Sequence, residues 1–241
     1  MQYFMWSNQS SCKLQHGFGG IVLLNPSGIA GKKAVCIDSQ IAPTPKKCLV
    51  YSFGINNEWS FDEQMESYGC EVFSFDPSMG MSHHNHSPGI HFYNWGLGDR
   101  DEYDNVFNWT IRSLSSIYNS LYAIHGNEII DYLKIDIENS EWIALPDIIQ
   151  TGMLSKVRQL GIEVHLNSEA SIEQYRKWAQ ILRAIEKLGM TRFHSEYNPW
   201  FMGNFTEFEF WGSFGHEISW YNRNLFHEGS FSYQNLNMKN T

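Results

Sequence analysis

The sequence has few basic residues and no long hydrophobic run. Its 17 Lys and Arg are outnumbered by 26 Asp and Glu, which gives a formal net charge of −9. A nucleic-acid surface needs clustered Lys and Arg to neutralise phosphates, and the basic residues form no cluster larger than the pairs Lys32-Lys33, Lys46-Lys47 and Arg176-Lys177. We therefore expect no nucleic-acid partner. No apolar stretch is long enough to cross a bilayer, and no signal peptide is recognisable, so we expect no membrane span in this chain.

Cysteine is also scarce, and its four copies all lie in the first third of the chain: Cys12, Cys36, Cys48 and Cys70. This clustering favours one or two disulfides that brace the N-terminal segment, with three connectivities open. Four N-glycosylation sequons occur as well, at Asn8, Asn85, Asn108 and Asn204. Together these features favour the lumen of the secretory pathway (Golgi or ER) or secretion. A cytoplasmic protein with four reduced thiols is the alternative.

A length of 241 residues with 42% hydrophobic content favours one α/β domain with additions. We divide the chain into an N-terminal extension over residues 1–47, a main domain over 48–222 and a C-terminal tail over 223–241. Within the extension, the apolar residues 21–24 are expected to pair with residues 34–37 as a hairpin, because Gly and Pro turn signals flank them.

The main domain begins with a pattern typical of a nucleotide-binding βαβ unit. A strand predicted over residues 49–53 breaks at Gly54, a helix follows over 60–68, and a second strand over 71–75 ends in Asp76. A glycine at the first turn lets the backbone approach a ligand, and an acid about 20 residues later accepts hydrogen bonds from ribose hydroxyls. A βαβ unit without a ligand is the alternative.

Three segments follow this unit. Residues 79–89, with three histidines, predict a loop that faces a substrate. Residues 90–95 predict a third strand, after which Gly98 leaves room for a flat ring and Asp99 could accept a hydrogen bond from an adenine amine. A tight turn is the alternative there. Residues 111–124 predict a helix.

Asp136 and Glu138 follow a strand predicted over residues 132–137. They share one face of an extended segment because side chains alternate along it, and open α/β sheets bind ligands at the carboxyl ends of such strands. Buried carboxylates there are costly unless they hold a cation, an amine or a hydroxyl. We therefore predict functional roles for both residues, with capping of the next helix by Glu138 or Glu141 as the alternative.

Three motifs together resemble the FkbM-type S-adenosylmethionine-dependent methyltransferases. They are S-F-G-I-N at residues 52–56, S-F-D-P at 74–77 and L-K-I-D-I-E-N-S-E at 133–141. The residues around the first two motifs are similar to those of an animal branch of this family, the methyltransferase-like protein twenty-four type. The resemblance covers roughly residues 12–222. It implies a class I (Rossmann-like) methyltransferase fold, with a seven-stranded mixed sheet and flanking helices.

The cofactor site that the resemblance implies follows the strand ends, at Ser52, Gly54, Asn56, Asp76, Gly98, Asp99 and Asp136. Asp76 would hold the ribose, and Asp136 would lie at the methionine end. Ser52 stands where most class I methyltransferases carry an acid, and Asn139 replaces a glycine. The methionine amine would then be held by Asn56, Glu58 or Asp136.

Residues 157–166 predict a further strand, on which Glu163 and His165 share a face. In the fold that the resemblance implies, this strand lies beside the one that ends in Asp136. A histidine there can take a proton from a hydroxyl near neutral pH, so His165 is a candidate base, with a structural role as the alternative. Asp136, Glu163 and His165 also resemble the ligand placement of cation-dependent O-methyltransferases, which makes Mn²⁺ or Mg²⁺ a candidate cofactor.

The resemblance thus implies methyl transfer from S-adenosylmethionine to an oxygen, with Asp136, His165 and Glu138 as catalytic residues. The acceptor is expected to be a small molecule or a glycan hydroxyl, and Trp200 or Trp211 could stack on a sugar. A catalytically silent binding module with this fold is one alternative, motivated by Ser52. A cytosolic small-molecule or protein methyltransferase is another, and the oligomeric state is open.

Overall fold

The structure is a computed structural model that describes residues 2–24 and 27–227. Its strands are β1 (Gln15–Phe18), β2 (Ile21–Leu24), β3 (Ser27–Ala30), β4 (Lys33–Cys36), β5 (Cys48–Phe53), β6 (Cys70–Phe75), β7 (His84–Ser87), β8 (Ile90–Tyr93), β9 (Gly96–Gly98), β10 (Glu102–Asp104), β11 (Trp109–Ser113), β12 (Ile130–Ile135), β13 (Val157–His165), β14 (Met190–Tyr197), β15 (Met202–Phe205), β16 (Phe210–Ser213) and β17 (Gly215–Asn222). Its α-helices are α1 (Gln2–Met5), α2 (Ser60–Tyr68), α3 (Leu114–Ser120), α4 (Tyr122–His125), α5 (Glu141–Gln150) and α6 (Ile172–Lys187). Of the tail expected over 223–241, residues 228–241 lie outside the described part.

A mixed sheet of eight strands runs through the molecule in the order β14-β17-β13-β12-β5-β6-β8-β7. The five strands from β13 to β8 are parallel, and β17 lies antiparallel between β13 and β14. This confirms the predicted mixed α/β fold. The eighth strand is β7, which forms from residues predicted to be a loop. A turn at residues 88–89 brings β7 back alongside β8, where it pairs antiparallel.

The two faces of the sheet are covered by different elements. All six residues of β5 and of β12 are buried, as expected for central parallel strands covered on both sides. Alternate residues of β5 pack into two cores: Leu49 and Tyr51 lie with residues of α3, α5 and α6. Val50 lies instead with residues of α2 and of the N-terminal extension. The extension therefore covers this face of the sheet together with α2.

The hairpin predicted between residues 21–24 and 34–37 is wrong. β2 pairs with β3, which follows it after only two residues, while β4 pairs antiparallel with β1. The reason is local: Gly19 and Gly20 have positive φ angles and turn the chain between β1 and β2. A side chain at Gly19 would clash with the Phe61 backbone, so this turn packs directly on α2.

The helix predicted over residues 111–124 is wrong at its start. Residues 111–113 belong to β11 and pair with β9, and helix α3 begins after Ser113. The Ser113 hydroxyl accepts a hydrogen bond from the Ser116 N–H, which fixes this helix start. Helix α3 then ends at Ser120, and α4 forms a separate short helix.

Both disulfides link residues near in sequence. Cys12 is bonded to Cys36 in β4, and Cys48 is bonded to Cys70. The second bridge joins directly paired residues of β5 and β6. None of the helices in the described part of the chain has the length and apolar character that a membrane span requires.

We expect a mass measurement under non-reducing conditions, after alkylation, to find no free thiol. Replacing Cys12 and Cys36 together by Ser is expected to lower the free energy of unfolding by about 3 kcal/mol, because the open chain gains entropy in the unfolded state. Urea unfolding would measure this, with the Cys48→Ser, Cys70→Ser protein as the matched comparison. Four alkylated cysteines in the wild type would contradict the prediction.

Candidate functional site

A cavity of about 780 Å³ opens at the carboxyl ends of β5, β6 and β12. Its walls include the residues just after these strands, among them Gly54, Asn56, Asp76 and Asp136. The strand ends are tied together by backbone hydrogen bonds, since the Gly54 N–H donates to Phe75 O and the Asp136 N–H to Phe53 O. In open α/β sheets this edge is where ligands bind, and the volume suits a small molecule or cofactor.

Gly54 is required by the close approach of β5 and β12. Its φ angle is +79°, and a Cβ atom there would lie 1.6 Å from the backbone oxygen of Asp136. No side chain fits in that space, so the end of β5 stays open toward the cavity. Asn56, two residues later, also has a positive φ angle, which Asn tolerates better than most residues.

The carboxylate of Asp76 organises the loop opposite Gly54. Asp76 is buried, and its Oδ2 accepts the backbone N–H of Asn56 at 2.7 Å. Its Oδ1 accepts the N–H and the hydroxyl of Ser78 at 2.8 and 2.6 Å. The residue predicted to hold a ribose thus lines the cavity and fixes the loops after β5 and β6.

Three residues predicted for the cofactor site do not line the cavity. Ser52 is buried, and its hydroxyl lies 3.3 Å from the carboxylate of Asp62 in α2. Gly98 packs against Ile111, and the exposed Asp99 pairs with Arg100 at 3.5 Å. The residues just before Gly98, namely Trp95, Gly96 and Leu97, line the cavity instead.

A buried lysine lies among the acids of the site. The Lys33 ammonium is 3.1 Å from Asp136 and 3.8 Å from Glu163, and it also pairs with Glu217. Burial alone would lower the pKa of Lys33, but these carboxylates outweigh it and raise the pKa well above its usual value. Burial would raise the pKa of Asp136, yet Lys33, with smaller effects of Lys134 and His165, lowers it. Asp136 is therefore an anion held by a permanent cation.

His165 lies beside this cluster but does not line the cavity. The backbone N–H of His165 donates to the Glu141 carboxylate at 2.6 Å, and the ring Nδ1 of His165 lies 3.2 Å from the same oxygen. Its Nε2 lies 3.4 Å from Glu138 and 3.8 Å from Glu163. Burial would lower the pKa of His165, but Glu141 above all, with Glu163 and Glu138, raises it to about 9. His165 thus carries its proton at neutral pH.

At this site, two groups of ligand atoms from the described residues lie close enough to hold a metal ion; a third group, Cys12, Cys36 and Asp38, lies elsewhere and contains a disulfide. In each group the atoms lie within 4.8 Å of one another: Asp136, Glu138 and His165 form the first, and Asp136, Glu163 and Glu217 the second. The second already surrounds the Lys33 ammonium. In the first, the buried Nε2 of His165 has no hydrogen-bond partner among the described residues, so this set fits a cation better.

The sequence interpretation missed Lys33, Asp62 and Lys134 and gave Glu141 only a capping role. Lys134 donates hydrogen bonds to the Phe53 and Gly54 carbonyls and lines the cavity. Lys134 and Glu141 both belong to the third motif, which was a usable signal. Lys33 had only a weak signal, as a lysine directly before an apolar run.

Comparison with known proteins gives two findings. The family described as methyltransferase domain matches residues 11–211. Probable methyltransferase-like protein 24 from Homo sapiens is 30% identical over 179 residues, and that from Rattus norvegicus is 30% identical over 178 residues. Each alignment covers 67% of this chain and 47% of the relative, so the chain spans about half the length of the curated relatives it matches.

The family match covers most of the chain, including every strand around the cavity, and it agrees with the sheet and with the three motifs. The chain therefore belongs to the methyltransferase domain family and is similar to methyltransferase-like protein 24.

Proposed function

We propose that the protein is an S-adenosylmethionine-dependent O-methyltransferase that acts on a sugar or glycan hydroxyl in the secretory pathway. The observation that carries the cofactor assignment is the cavity at the ends of β5, β6 and β12, with Gly54 and the buried Asp76 on its wall. An acid at the end of the second strand of a βαβ unit is suited to bind ribose hydroxyls.

The lining of the cavity suggests how the cofactor is oriented. Asp76 would accept hydrogen bonds from the ribose, and Trp95 with Leu97 would contact the adenine. Asn56, Glu58 and Asp136 line the cavity too and are candidates to hold the methionine amine. Ser52 would contribute to the cofactor site only indirectly, through its hydrogen bond to Asp62 behind the strand. Gly98 would contribute by leaving room for Ile111 to pack at the adenine end of the cavity. Asp99, which is exposed, would accept a hydrogen bond from the adenine amine at the rim of the cavity.

S-adenosylmethionine would supply a methyl group already activated on a sulfonium. The remaining task is to align an acceptor hydroxyl and to take its proton as the new C–O bond forms. Asp136 would orient the hydroxyl, and Glu138, exposed at the rim between Asp136 and His165, would pass the proton to His165. His165 can accept only after losing its own proton, so this base works best in alkaline solution.

A divalent cation is the alternative means of activating the hydroxyl, because it would lower the pKa of the hydroxyl directly. Asp136, Glu138 and His165 would hold Mn²⁺ or Mg²⁺, since their ligand atoms lie together, and the cation would displace the proton from Nε2 of His165. Glu163, named from the sequence, is engaged by the Asn198 amide at 2.6 Å and by Lys33. It also lines the cavity and would support the ligand set through these contacts.

Two features support the secretory assignment over the cytosolic alternative. Both disulfides are formed, which is typical of oxidising compartments. The four sequon residues Asn8, Asn85, Asn108 and Asn204 are all exposed, as glycan attachment requires. Trp200 and Trp211 support the sugar acceptor less, since neither lines the cavity at the strand ends.

We expect S-adenosylhomocysteine to bind the wild-type protein with micromolar affinity and to bind Asp76→Ala at least about tenfold more weakly, because hydrogen bonds to a carboxylate are lost. Calorimetry would measure both. Asp38→Ala is the matched control, because Asp38 also accepts two backbone N–H groups but lies outside the cavity. A folded wild type without affinity would indicate the silent binding module instead.

The ring of His165 is expected to titrate near pH 9, and the methylation rate to rise with pH up to that value. In Glu141→Gln the negative charge beside the ring is lost, so both midpoints should move toward 6.5 by a unit or more. NMR titration and rate profiles would show this. Glu173→Gln, an exposed change on α6, should leave both unchanged. A midpoint near 6.5 in the wild type would refute the proposed environment.

If a cation takes part, Mn²⁺ should bind the wild type, and Glu138→Gln should weaken binding at least about tenfold, since one of three ligands loses its charge. Electron paramagnetic resonance of free Mn²⁺ gives the affinity. Glu102→Gln, an exposed acid paired with Arg100, is the control. Equal Mn²⁺ binding by wild type and Glu138→Gln would exclude this ligand set.

A further inference from the structure

A second cavity, of about 560 Å³, lies next to the first site, and two short segments of chain run between the two. Asn139 follows Glu138, and Leu166 follows His165, and both line it. Glu138 and Asn139 both have positive φ angles. In this tight turn Glu138 lines the first cavity while Asn139 lines the second. A ligand in the second cavity therefore lies next to the turn that carries the proposed catalytic acid.

The chemistry of this cavity differs from that of the first. Among the described residues that line it, none is ionisable, although the chain carries a net charge of −9. Three of the lining residues are amides: Asn139, Asn167 and Gln174. An uncharged lining beside a cluster of carboxylates does not favour an anion, and a cation would find stronger partners in the first cavity. The lining selects a neutral polar ligand.

The amide groups are available for a ligand. In the described part of the chain, the side chains of Asn139 and Gln174 make no hydrogen bond to protein. The side chain of Asn167 accepts the Glu169 N–H at 2.9 Å and keeps its NH₂ free. Each free amide offers both donors and acceptors, which is what vicinal hydroxyl groups need.

The aromatic wall is held in one orientation. The ring of Trp142 stacks on Trp178 with centroids 5.2 Å apart, and its Nε1–H donates to the backbone oxygen of His165 at 2.7 Å. Trp142 is partly exposed, whereas Trp178 is buried beneath it. A fixed ring is a flat apolar surface whose binding costs little conformational entropy, and it suits the C–H face of a sugar.

We propose that this cavity is the acceptor subsite and that it binds a neutral sugar residue of a glycan, stacked on Trp142 and held by Asn139, Asn167 and Gln174. The statement that the bound sugar is methylated rests on the proposed function, whereas the binding of the sugar does not. Its hydroxyls would point past the Glu138–Asn139 turn toward the first cavity.

The test uses saturation-transfer NMR with three probes: methyl α-mannoside, methyl β-galactoside and methyl β-N-acetylglucosaminide. At least one should bind the wild-type protein. Binding should weaken about tenfold in the Asn139→Gly, Gln174→Ala protein, as expected for two lost hydrogen bonds. Glycine keeps the positive φ angle at position 139. Gln180→Ala, an exposed change on the same helix, is the matched control.

Binding of S-adenosylhomocysteine, measured on the same samples, reports on the fold and on the proposed function separately. Sugar binding that weakens in the double variant alone, with unchanged cofactor affinity, supports the subsite. Absence of sugar binding in wild-type protein that binds S-adenosylhomocysteine overturns the subsite and leaves the methyltransferase. Sugar binding without cofactor binding supports the subsite but refutes the proposed enzyme. Equal loss in Gln180→Ala would also overturn the assignment.

Discussion

The ion pairs of Lys33 hold the candidate site together. Asp136, Glu163 and Glu217 approach one ammonium group. Burial, with Glu163 and Asp136 nearby, raises the pKa of Glu217 to about 8 even beside this cation, so without Lys33 the three acids could not ionise together. Removing one partner from such a buried network typically costs about 3–5 kcal/mol. The cation comes from β4 in the N-terminal extension, whereas the acids come from β12, β13 and β17 or the residues that follow them. The extension is therefore part of the site and not a separable addition.

The local parts of the fold could be predicted from the sequence because their signals are local. The βαβ unit is specified by an apolar run, Gly54, an amphipathic helix and a second strand, and the structure forms all of them. The errors in the predicted fold concern which segments pair with one another. Residues 21–24 and 34–37 are both good strands, but periodicity does not say which strands pair. Residues 111–113 extend a helical pattern, yet pairing with β9 stabilises them as a strand.

The site shows the same division between residues placed by local sequence and residues placed by contacts distant in the chain. Gly54, Asn56, Asp76 and Asp136 reach the cavity, since each lies within three residues of a strand end that could be located from the sequence. Lys33 could not be assigned, because its contact with Asp136 joins residues 103 positions apart. The pKa of His165 also escaped prediction. The sequence shows a histidine on a strand, but only the folded chain brings Glu141 against its ring.

The Cys12–Cys36 bridge ends on β4, the strand that begins with Lys33. Reduction of a bond outside the cavity would therefore loosen the strand that neutralises the acids inside it. The redox state of the surroundings and the electrostatic field at the acids are in this way physically linked. In a reducing compartment the chain would retain every residue of its site but would hold their charge balance less firmly.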